Sequence, residues 1–350
     1  MLGRTLKAIP SISTEHLLPK GVDTHMPKKK DIKIVGAGPA GLVAAIDLNR
    51  AGYNVIVYDK QDSVGGEPGW HPSVHSTPVS KKLFDYIGID CQEAFVESSH
   101  CFKAFVFGEK VDVNPYQETG LFNTERGHRP TSLDNILYRI AAREGVNFEF
   151  RYTWKEDDFR KAPAGTIIAT GLSGGVYEWM EIPCSVFAGY WAYSEIEKDY
   201  ISTAGYFGSY SNEYGYAGSM NGIWYVLLFA RKEVPAENLE AFKQELLLVE
   251  GRTFDKWRRF SGLTPKGPRL FHKDFILTGT FGGVVEPAYG FGITGSLLSG
   301  KISAMAVYDP TKAEREFHRF TDGIVTHIAR KRQPGYAPSA VMGDVWFDVQ

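Results

Sequence analysis

The pattern of apolar and polar residues first becomes regular at Asp31, where it predicts a strand, a helix and a second strand in close succession. The first strand spans residues 32–35, the helix runs from Ala40 to its stop at Gly52, and the second strand spans residues 55–58. Residues 1–30 are polar and have neither the helical nor the strand period, so we expect a loose extension there. The ordered part of the chain therefore begins with a βαβ unit.

Further segments along the chain have the apolar spacing of helices. Residues 131–145 carry apolar side chains at positions i, i+3, i+4 and i+7, and Thr131 is the expected N-terminal cap. Residues 235–260 and 311–333 are also predicted to be helical, with a structural role. One more helix follows Gly292. Its apolar stripe consists of Ile293, Leu297, Gly300, Ala304 and Val307.

Residues 187–229 have a different pattern, with many aromatic side chains separated by glycines. Aromatic and β-branched residues suit strands, and the pair Asn221 and Gly222 is typical of a two-residue hairpin turn. The sequence therefore predicts a twisted antiparallel sheet in the middle of the chain.

The loop between the first strand and the first helix has glycine at positions that suit a dinucleotide. Gly36 allows a tight turn, Gly38 lets the backbone approach a pyrophosphate, and Gly41 permits close packing of helix on strand. The positive end of the helix dipole faces the phosphates. Asp59 follows Gly41 by 18 residues and is placed to bind a ribose diol, where its carboxylate would repel a 2′-phosphate. This spacing does not distinguish FAD from NAD.

A second glycine-rich strand, loop and helix lies near the other end of the chain. Residues 278–283 read TGTFGG after a predicted strand at 274–277, and residues 287–293 read PAYGFGI before the helix. The N-terminus of that helix, near Gly292, directs its positive dipole end toward a ligand.

These segments together resemble the FAD-dependent oxidoreductase superfamily that includes the geranylgeranyl reductases and p-hydroxybenzoate hydroxylase. The second loop is similar to the family segment GD(x)₆P(x)₂GxG, which cradles the ribityl chain and isoalloxazine, and residues 166–171, TIIATG, resemble the strand and turn that close the FAD site. The resemblance covers residues 31–305 in order. It implies an α/β fold, a Rossmann-like FAD-binding domain with an inserted antiparallel β-sheet substrate domain, and FAD as the cofactor.

The resemblance also implies a division into domains. The discontinuous FAD-binding domain comprises residues 31–98, 128–175 and 272–333, and the substrate-binding sheet and helix comprise 99–127 and 176–271. Residues 1–30 precede these domains as the loose extension, and residues 334–350 follow them as a C-terminal tail.

Carried onto this sequence, the resemblance implies a set of FAD-binding residues in both glycine-rich loops and near them. Two of them depart from the family pattern. Thr280 replaces the usual Asp, so a hydroxyl takes the place of a carboxylate and we expect weaker binding. Thr170 replaces the Asp of a pair that the hydroxylases use for FAD and NADPH, which disfavours an NADPH-driven hydroxylase. The set is Gly36, Gly38, Ala40, Gly41, Asp59, Lys60, Gly66, Glu67, Arg129, Thr170, Gly171, Thr280, Gly290, Gly292 and Ile293.

Candidate catalytic residues lie in the loop over residues 65–75, which is similar in placement to a flavin-facing segment of the prenyl reductases. His71 and His75 are candidate proton donors, because the ordinary pKa of imidazole is close to 6.5. The alternative is that they are loop histidines bonded to backbone. Pro72 interrupts any helical face between them and no third ligand is near, so no metal site is predicted.

Candidate substrate-binding residues are aromatic. Tyr214 and Tyr216 resemble the YxW substrate motif of the prenyl reductases, and Tyr216 is a third candidate proton donor. Tyr190 and Trp191 complete the set. A pocket of such rings suits a prenyl chain or an aromatic ring, whereas the alternative for each ring is simple core packing.

Composition limits the remaining choices. The chain has 350 residues, of which 43% are hydrophobic, and its net charge is −2, without the basic surplus of a nucleic-acid-binding protein. Cys91, Cys101 and Cys184 fit neither a disulfide framework nor a metal site, so we expect a reducing, cytoplasmic environment. No apolar run is long enough to span a bilayer. The basic triplet at residues 28–30 is best explained as a solvated flank, with peripheral contact to anionic lipid as the alternative.

The sequence therefore predicts an enzyme, an FAD-dependent oxidoreductase that reduces a C=C bond of an apolar, prenyl-like or aromatic small molecule. The family implies hydride transfer from flavin N5, and the electron donor is not identified. One alternative is an FAD-dependent monooxygenase that hydroxylates an aromatic or amine substrate. Another is a noncatalytic flavin-binding protein, suggested by Thr280 and Thr170.

Overall fold

The computed structural model describes residues 30–66, 71–79, 82–112, 120–286 and 289–331. The predicted extension before residue 30, the tail over 334–350 and the candidate Glu67 lie outside these residues. The strands of the described part are β1 (Asp31–Val35), β2 (Asn54–Tyr58), β3 (Ser73–Pro78), β4 (Phe95–Glu97), β5 (Phe102–Val106), β6 (Glu109–Val111), β7 (Leu121–Arg126), β8 (Asn147–Glu149), β9 (Ile167–Ile168), β10 (Cys184–Glu195), β11 (Ser202–Phe207), β12 (Tyr214–Met220), β13 (Ile223–Ala230), β14 (Arg258–Pro265), β15 (Phe271–His272) and β16 (Phe275–Leu277).

Helices alternate with these strands mainly in the first and last parts of the chain. They are α1 (Pro39–Arg50), α2 (Lys82–Ile87), α3 (Leu133–Arg143), α4 (Glu156–Arg160), α5 (Gly174–Trp179), α6 (Ala236–Glu250), α7 (Ile293–Tyr308) and α8 (Pro310–Lys331).

A six-stranded sheet carries the predicted βαβ unit. Its strand order is β15-β16-β9-β1-β2-β8, and the strands from β16 to β8 are parallel. Helices α1 and α7 cross closely beside it, because Gly300 has no side chain. A Cβ at Gly300 would lie 2.9 Å from the Cβ of Val43. Helix α7 is buried on most of its surface between α1 and α8, so its predicted apolar stripe is only one of its packed faces.

A seven-stranded sheet forms the second layer. Its order is β14-β10-β13-β12-β11-β5-β6, antiparallel except where β11 pairs with β5. Asn221 and Gly222 connect β12 to β13 with φ angles of 53° and 74°, as expected of the predicted hairpin turn. Helix α6 covers one face of this sheet. The predicted helix over 235–260 is too long, because Gly251, with φ of 63°, ends α6 and residues from Arg258 pair with β10 as a strand.

A three-stranded sheet has the order β3-β7-β4 and packs against the seven-stranded sheet on β12 and β13 and against helices α3 and α7. Helix α3 follows it, and its predicted cap is wrong. Ser132 caps the helix by accepting a hydrogen bond from the Asn135 amide at 3.2 Å, whereas Thr131 donates to the buried carboxylate of Glu125 at 2.6 Å. Thr131 therefore does not cap α3, because its hydroxyl is bonded to Glu125 on β7. In the described part of the chain, no helix is long and apolar enough to cross a membrane.

Candidate functional site

A cavity of about 680 Å³ joins the two glycine-rich loops to the seven-stranded sheet. Its wall includes Gly36 and Gly38 of the first loop, Thr280 and Gly292 of the second loop, and aromatic residues of the sheet. The two loops, which are far apart along the sequence, therefore open into the same space. A volume of this size is within the range of ligand-binding pockets.

The three glycines of the first loop have distinct environments. A Cβ at Gly36 would overlap the carbonyl oxygen of Ala169, and a Cβ at Gly41 would overlap the carbonyl oxygen of Gly36. Gly36 also has a φ of 110°, which other residues rarely adopt. In contrast, no atom of the described residues lies within 4 Å of a Cβ at Gly38. Gly36 and Gly41 are thus required for packing, and Gly38 opens toward the cavity.

Asp59 faces the cavity and also holds the first loop. Its Oδ2 accepts a hydrogen bond from the Ala37 amide at 2.7 Å, and its Oδ1 accepts one from the Gln61 amide at 2.9 Å. Each carboxylate oxygen retains lone pairs for a further donor. The sequence predicted contact with a ribose, but it did not reveal this role in fixing the loop.

An aromatic cluster that the sequence analysis missed lies beside Asp59. The Tyr58 ring lies 5.3 Å from that of Tyr152 and 5.4 Å from that of Trp154, and all three residues line the cavity. Among the described residues, neither the buried indole Nε1 of Trp154 nor the buried hydroxyl of Thr170, which lines the same cavity, has a hydrogen-bond partner. Buried polar atoms are normally paired, so both atoms fit a polar ligand. In the sequence, this cluster could have been inferred from Tyr152 and Trp154, two aromatic residues shortly after β8.

The second loop brings the start of α7 close to the start of α1. A Cβ at Gly279 would lie 3.0 Å from the Cβ of Ala40, and a Cβ at Gly292 would lie 3.8 Å from the Thr280 hydroxyl. The positive ends of the two helix dipoles therefore converge on the cavity. The hydroxyl of Thr280, a predicted FAD-binding residue, therefore lies near Gly292, the residue before α7.

His71 and His75 are connected through a serine. The Ser73 hydroxyl lies 2.8 Å from Nδ1 of His71 and 2.9 Å from Nε2 of His75, and Ser73 is fully buried. Burial, with a smaller contribution from the positive charge of Arg126, lowers the pKa of both imidazoles to about 3. Both rings are thus neutral at pH 7. Ser73 has one proton, so it donates to one ring and accepts from the other.

Arg126, rather than the predicted Arg129, lies on the cavity. Its guanidinium binds the carboxylate of Asp134 in two hydrogen bonds of 2.7 Å and 2.9 Å, and the Asp134 side chain is fully buried. The nearby guanidinium lowers the pKa of Asp134 against the effect of burial. Arg129 instead donates to the Asn221 carbonyl at 2.8 Å and does not line the cavity in the part of the chain described.

Strand register decides which aromatic residues face the cavity. Trp191, Leu227 and Tyr216 are directly paired across three strands, and their side chains share the cavity face of the sheet. Tyr190 precedes Trp191, so its side chain lies on the opposite face, against the core beneath α6. Tyr214 lines the cavity and donates its hydroxyl proton to the Tyr289 carbonyl. Three of the four candidate substrate residues are therefore together.

Most of the candidate FAD-binding residues also lie on the cavity. Ala40 and Gly41 pack behind the first loop and, like Arg129, are absent from the cavity wall as far as the structure describes it. Among the described residues, no group of three or more His, Cys, Asp or Glu side chains is arranged to hold a metal ion. The candidate FAD-binding residues on the cavity wall are Gly36, Gly38, Asp59, Lys60, Gly66, Thr170, Gly171, Thr280, Gly290, Gly292 and Ile293.

Sequence comparison finds similarity over the first βαβ unit. Residues 34–68 match the NAD(P)-binding Rossmann-like domain family. Flavin-containing monooxygenase FMO GS-OX-like 5 of Arabidopsis thaliana is 49% identical over 49 residues, which is 14% of this chain and 11% of that protein. The match thus spans about a tenth of the relative's length.

Structural comparison extends to most of the chain. A geranylgeranyl bacteriochlorophyll reductase-like protein from Thermoplasma acidophilum aligns with a TM-score of 0.65 at 14% identity, over 91% of this chain and 92% of that one. CtdE, solved in complex with FAD and a substrate, aligns with a TM-score of 0.61 at 15% identity, over 89% of each chain. These likenesses confirm the predicted fold, an α/β Rossmann-like domain with an inserted antiparallel sheet.

Proposed function

We propose that this chain is an FAD-dependent oxidoreductase that acts on an apolar or aromatic small molecule. The observation that carries the proposal is the single cavity into which both glycine-rich loops and the aromatic face of the sheet open. A nucleotide at the first loop and a reactive ring at the second are joined in one extended molecule only if the cofactor is a dinucleotide such as FAD. The flavin-containing relative and the FAD complex of CtdE support this choice.

The residues present fit FAD. Gly38 leaves room for a diphosphate beside the start of α1, and Asp59 offers carboxylate oxygens to a ribose. The unpaired Trp154 Nε1 and Thr170 hydroxyl offer polar contacts to the nucleotide part. Thr280 and the start of α7 would hold the ribityl chain and the flavin ring. FAD, when bound, supplies two-electron transfer to or from the substrate.

The chain's own residues hold the substrate and move a proton. The rings of Trp191, Tyr216 and Tyr225 form an apolar wall that positions a substrate and excludes water. The chain of hydrogen bonds from His75 through Ser73 to His71 provides a path for a proton between neutral groups, in which each group accepts one proton as it releases another. Because the pKa of each imidazole is lowered to about 3, neither ring holds an extra proton at pH 7, and each can only pass a proton on.

We propose the reduction of a C=C bond as the first candidate reaction, and the geranylgeranyl bacteriochlorophyll reductase-like protein, which aligns over 91% of this chain, supports it. A monooxygenase is the second candidate, and the flavin-containing monooxygenase relative favours it. The two reactions place the same demands on the aromatic wall but differ in their need for oxygen.

Anaerobic photoreduction separates the two reactions. The purified protein, loaded with FAD, is reduced without oxygen and mixed with geranylgeraniol or with indole while the flavin absorbance is followed. A reductase recovers its oxidised spectrum without oxygen, whereas a monooxygenase stays reduced until oxygen is admitted and then forms a hydroxylated product. Protein that is colourless and binds no added FAD would refute both enzymes and support a noncatalytic protein.

A further inference from the structure

Arg126, at the end of β7, presents part of its guanidinium to the cavity. Asp134 accepts hydrogen bonds from Nε at 2.7 Å and from Nη2 at 2.9 Å, so this carboxylate occupies two of the five N–H donors. In the part of the chain described, the guanidinium makes no further hydrogen bond, yet none of its nitrogens is both buried and unpaired. The Nη1 amine, with two N–H donors, is therefore accessible. The side chain is 19% exposed and lines the cavity, so these donors are available to a ligand there.

The charges around these donors favour a neutral ligand group. The fully buried carboxylate of Asp134 balances the positive charge of Arg126, and the imidazoles of His71 and His75 are neutral at pH 7. A carboxylate or phosphate placed here would lose its water without meeting an unbalanced positive charge. A carbonyl oxygen is neutral and can accept both N–H groups of Nη1 through its two lone pairs. The site therefore suits a neutral carbonyl oxygen better than an anion.

The chain of hydrogen bonds through Ser73 lies beside these donors. Ser73, which links His71 to His75, is paired with Arg126 in the ladder between β3 and β7. The His75 ring stacks against the ring of Tyr225 in the apolar wall, with the two centroids 6.1 Å apart. Arg126, His75 and Tyr225 all line the cavity. Donors for an oxygen, a path for a proton and an apolar wall are thus neighbours in one space.

We propose that Arg126 is a catalytic residue that donates hydrogen bonds to a neutral carbonyl oxygen of the substrate, and that this carbonyl is conjugated to the C=C bond that is reduced. The inference rests on the proposed function in its choice of C=C reduction, and it narrows the substrate to an α,β-unsaturated aldehyde or ketone. As a hydride supplied by reduced FAD bonds to the β-carbon, the C=C electron pair moves toward the carbonyl oxygen. The α-carbon then takes a proton from the path through Ser73, so the substrate gains the two electrons that the flavin loses. N–H donors at the oxygen stabilise the negative charge that develops there.

A pair of nearly isosteric probes separates binding at Arg126 from simple packing. Acetophenone presents a carbonyl oxygen, and α-methylstyrene has a CH₂ group in its place. In calorimetric titrations of the full-length, FAD-loaded protein, acetophenone should bind at least about tenfold more tightly, the ratio expected for a hydrogen bond from a charged donor. Replacing Arg126 alone would leave Asp134 buried without its ion-pair partner, so the variant is Arg126→Leu with Asp134→Leu. In this double variant the ratio of affinities should fall to about one.

Arg139→Leu is the matched control, because Arg139 is an exposed arginine of α3 that is absent from the cavity wall as far as the structure describes it. It should keep the ratio of about ten. The photoreduced proteins are also mixed without oxygen with geranial, an α,β-unsaturated aldehyde. Flavin reoxidation should be roughly a hundredfold slower in the double variant than in Arg139→Leu, because the carbonyl oxygen has lost its donors.

Equal affinities for the two probes in the wild type, binding of neither probe, or equal rates of reoxidation by geranial in the two variants would overturn the inference. A merely structural role of the ion pair would lower both affinities together and leave their ratio unchanged. Weaker FAD binding in the double variant with the ratio retained would assign Arg126 to the cofactor and overturn the inference, while the proposed function stands. Wild-type protein that binds no FAD contradicts the proposed function itself.

Discussion

The substitution Gly38→Ala separates the role of the first loop in binding from its role in folding. Gly38 has φ of −78° and ψ of 175°, which alanine also adopts, and a Cβ there would meet no atom of the described part of the chain within 4 Å. Alanine at an N-cap is less favourable than glycine, and a less flexible unfolded chain offsets this, so we expect the free energy of unfolding to change by less than about 1 kcal/mol. The added methyl group nevertheless stands where the diphosphate approaches the backbone.

The expected loss is therefore in affinity for FAD. If the methyl group displaces the diphosphate enough to lose one charge-assisted hydrogen bond, binding loses about 1.5–3 kcal/mol, and the dissociation constant for FAD should rise at least about tenfold. Deflavinated protein is titrated with FAD while flavin fluorescence is followed, and unfolding in urea is measured in parallel.

Gly41→Ala is the informative comparison. Its Cβ would overlap the Gly36 carbonyl oxygen, so helix and loop must separate, and we expect a loss of about 1–3 kcal/mol in the free energy of unfolding. If Gly38→Ala binds FAD as tightly as the wild type, or if it is the variant that unfolds more readily, the assignment of the two glycines is wrong.

Other predictions concern stability. Arg126→Leu leaves the buried Asp134 carboxylate without its ion-pair partner and should lower the free energy of unfolding in urea by about 3–5 kcal/mol. Replacing both residues by Leu should recover part of that loss. An equal loss in the double variant would contradict the idea that the unpaired carboxylate causes it. His71 and His75 have pKa values lowered to about 3, so the unfolded chain binds more protons below pH 6.5, and stability should fall by roughly 1 kcal/mol per pH unit for each histidine as the pH decreases from 6.5 toward 3. His75→Phe should remove one histidine's share of that slope, and an unchanged slope would refute the burial argument. Ser132→Ala removes the cap of α3 and should lower the free energy of unfolding, measured by heat or urea, by about 1 kcal/mol. An unchanged free energy of unfolding would mean that Ser132 does not cap the helix.

Local physics made the first glycine-rich loop predictable from the sequence. The position of Gly41 is dictated by its close approach to the Gly36 carbonyl within one βαβ unit, whereas the backbone that approaches Gly36, at Ala169, lies far along the chain. Asp59 was singled out for a similar reason, since it directly follows β2, the strand after the helix. Features fixed within about 30 residues of sequence are visible without tertiary information.

Features that depend on distant partners were not predictable in the same way. The choice between Arg126 and Arg129 depends on Asp134 and on Asn221, which belongs to a hairpin more than 90 positions later in the chain. The aromatic sequence was dense enough to predict a sheet but not to say which face of it Tyr190 occupies, because a register shift of one residue exchanges the faces. The hydrogen bond between the Ser76 and Tyr216 hydroxyls joins residues 140 positions apart.

A crystal structure of the FAD complex tests the central claim, one dinucleotide bound by both loops, most directly. The account predicts a diphosphate against the backbone at Gly38, adenine beside Tyr58 and Trp154, and the flavin ring beside Gly290 and Gly292 at the start of α7. FAD bound at one loop only, with the other loop facing empty solvent, or a nicotinamide in the position of the flavin ring, would contradict it.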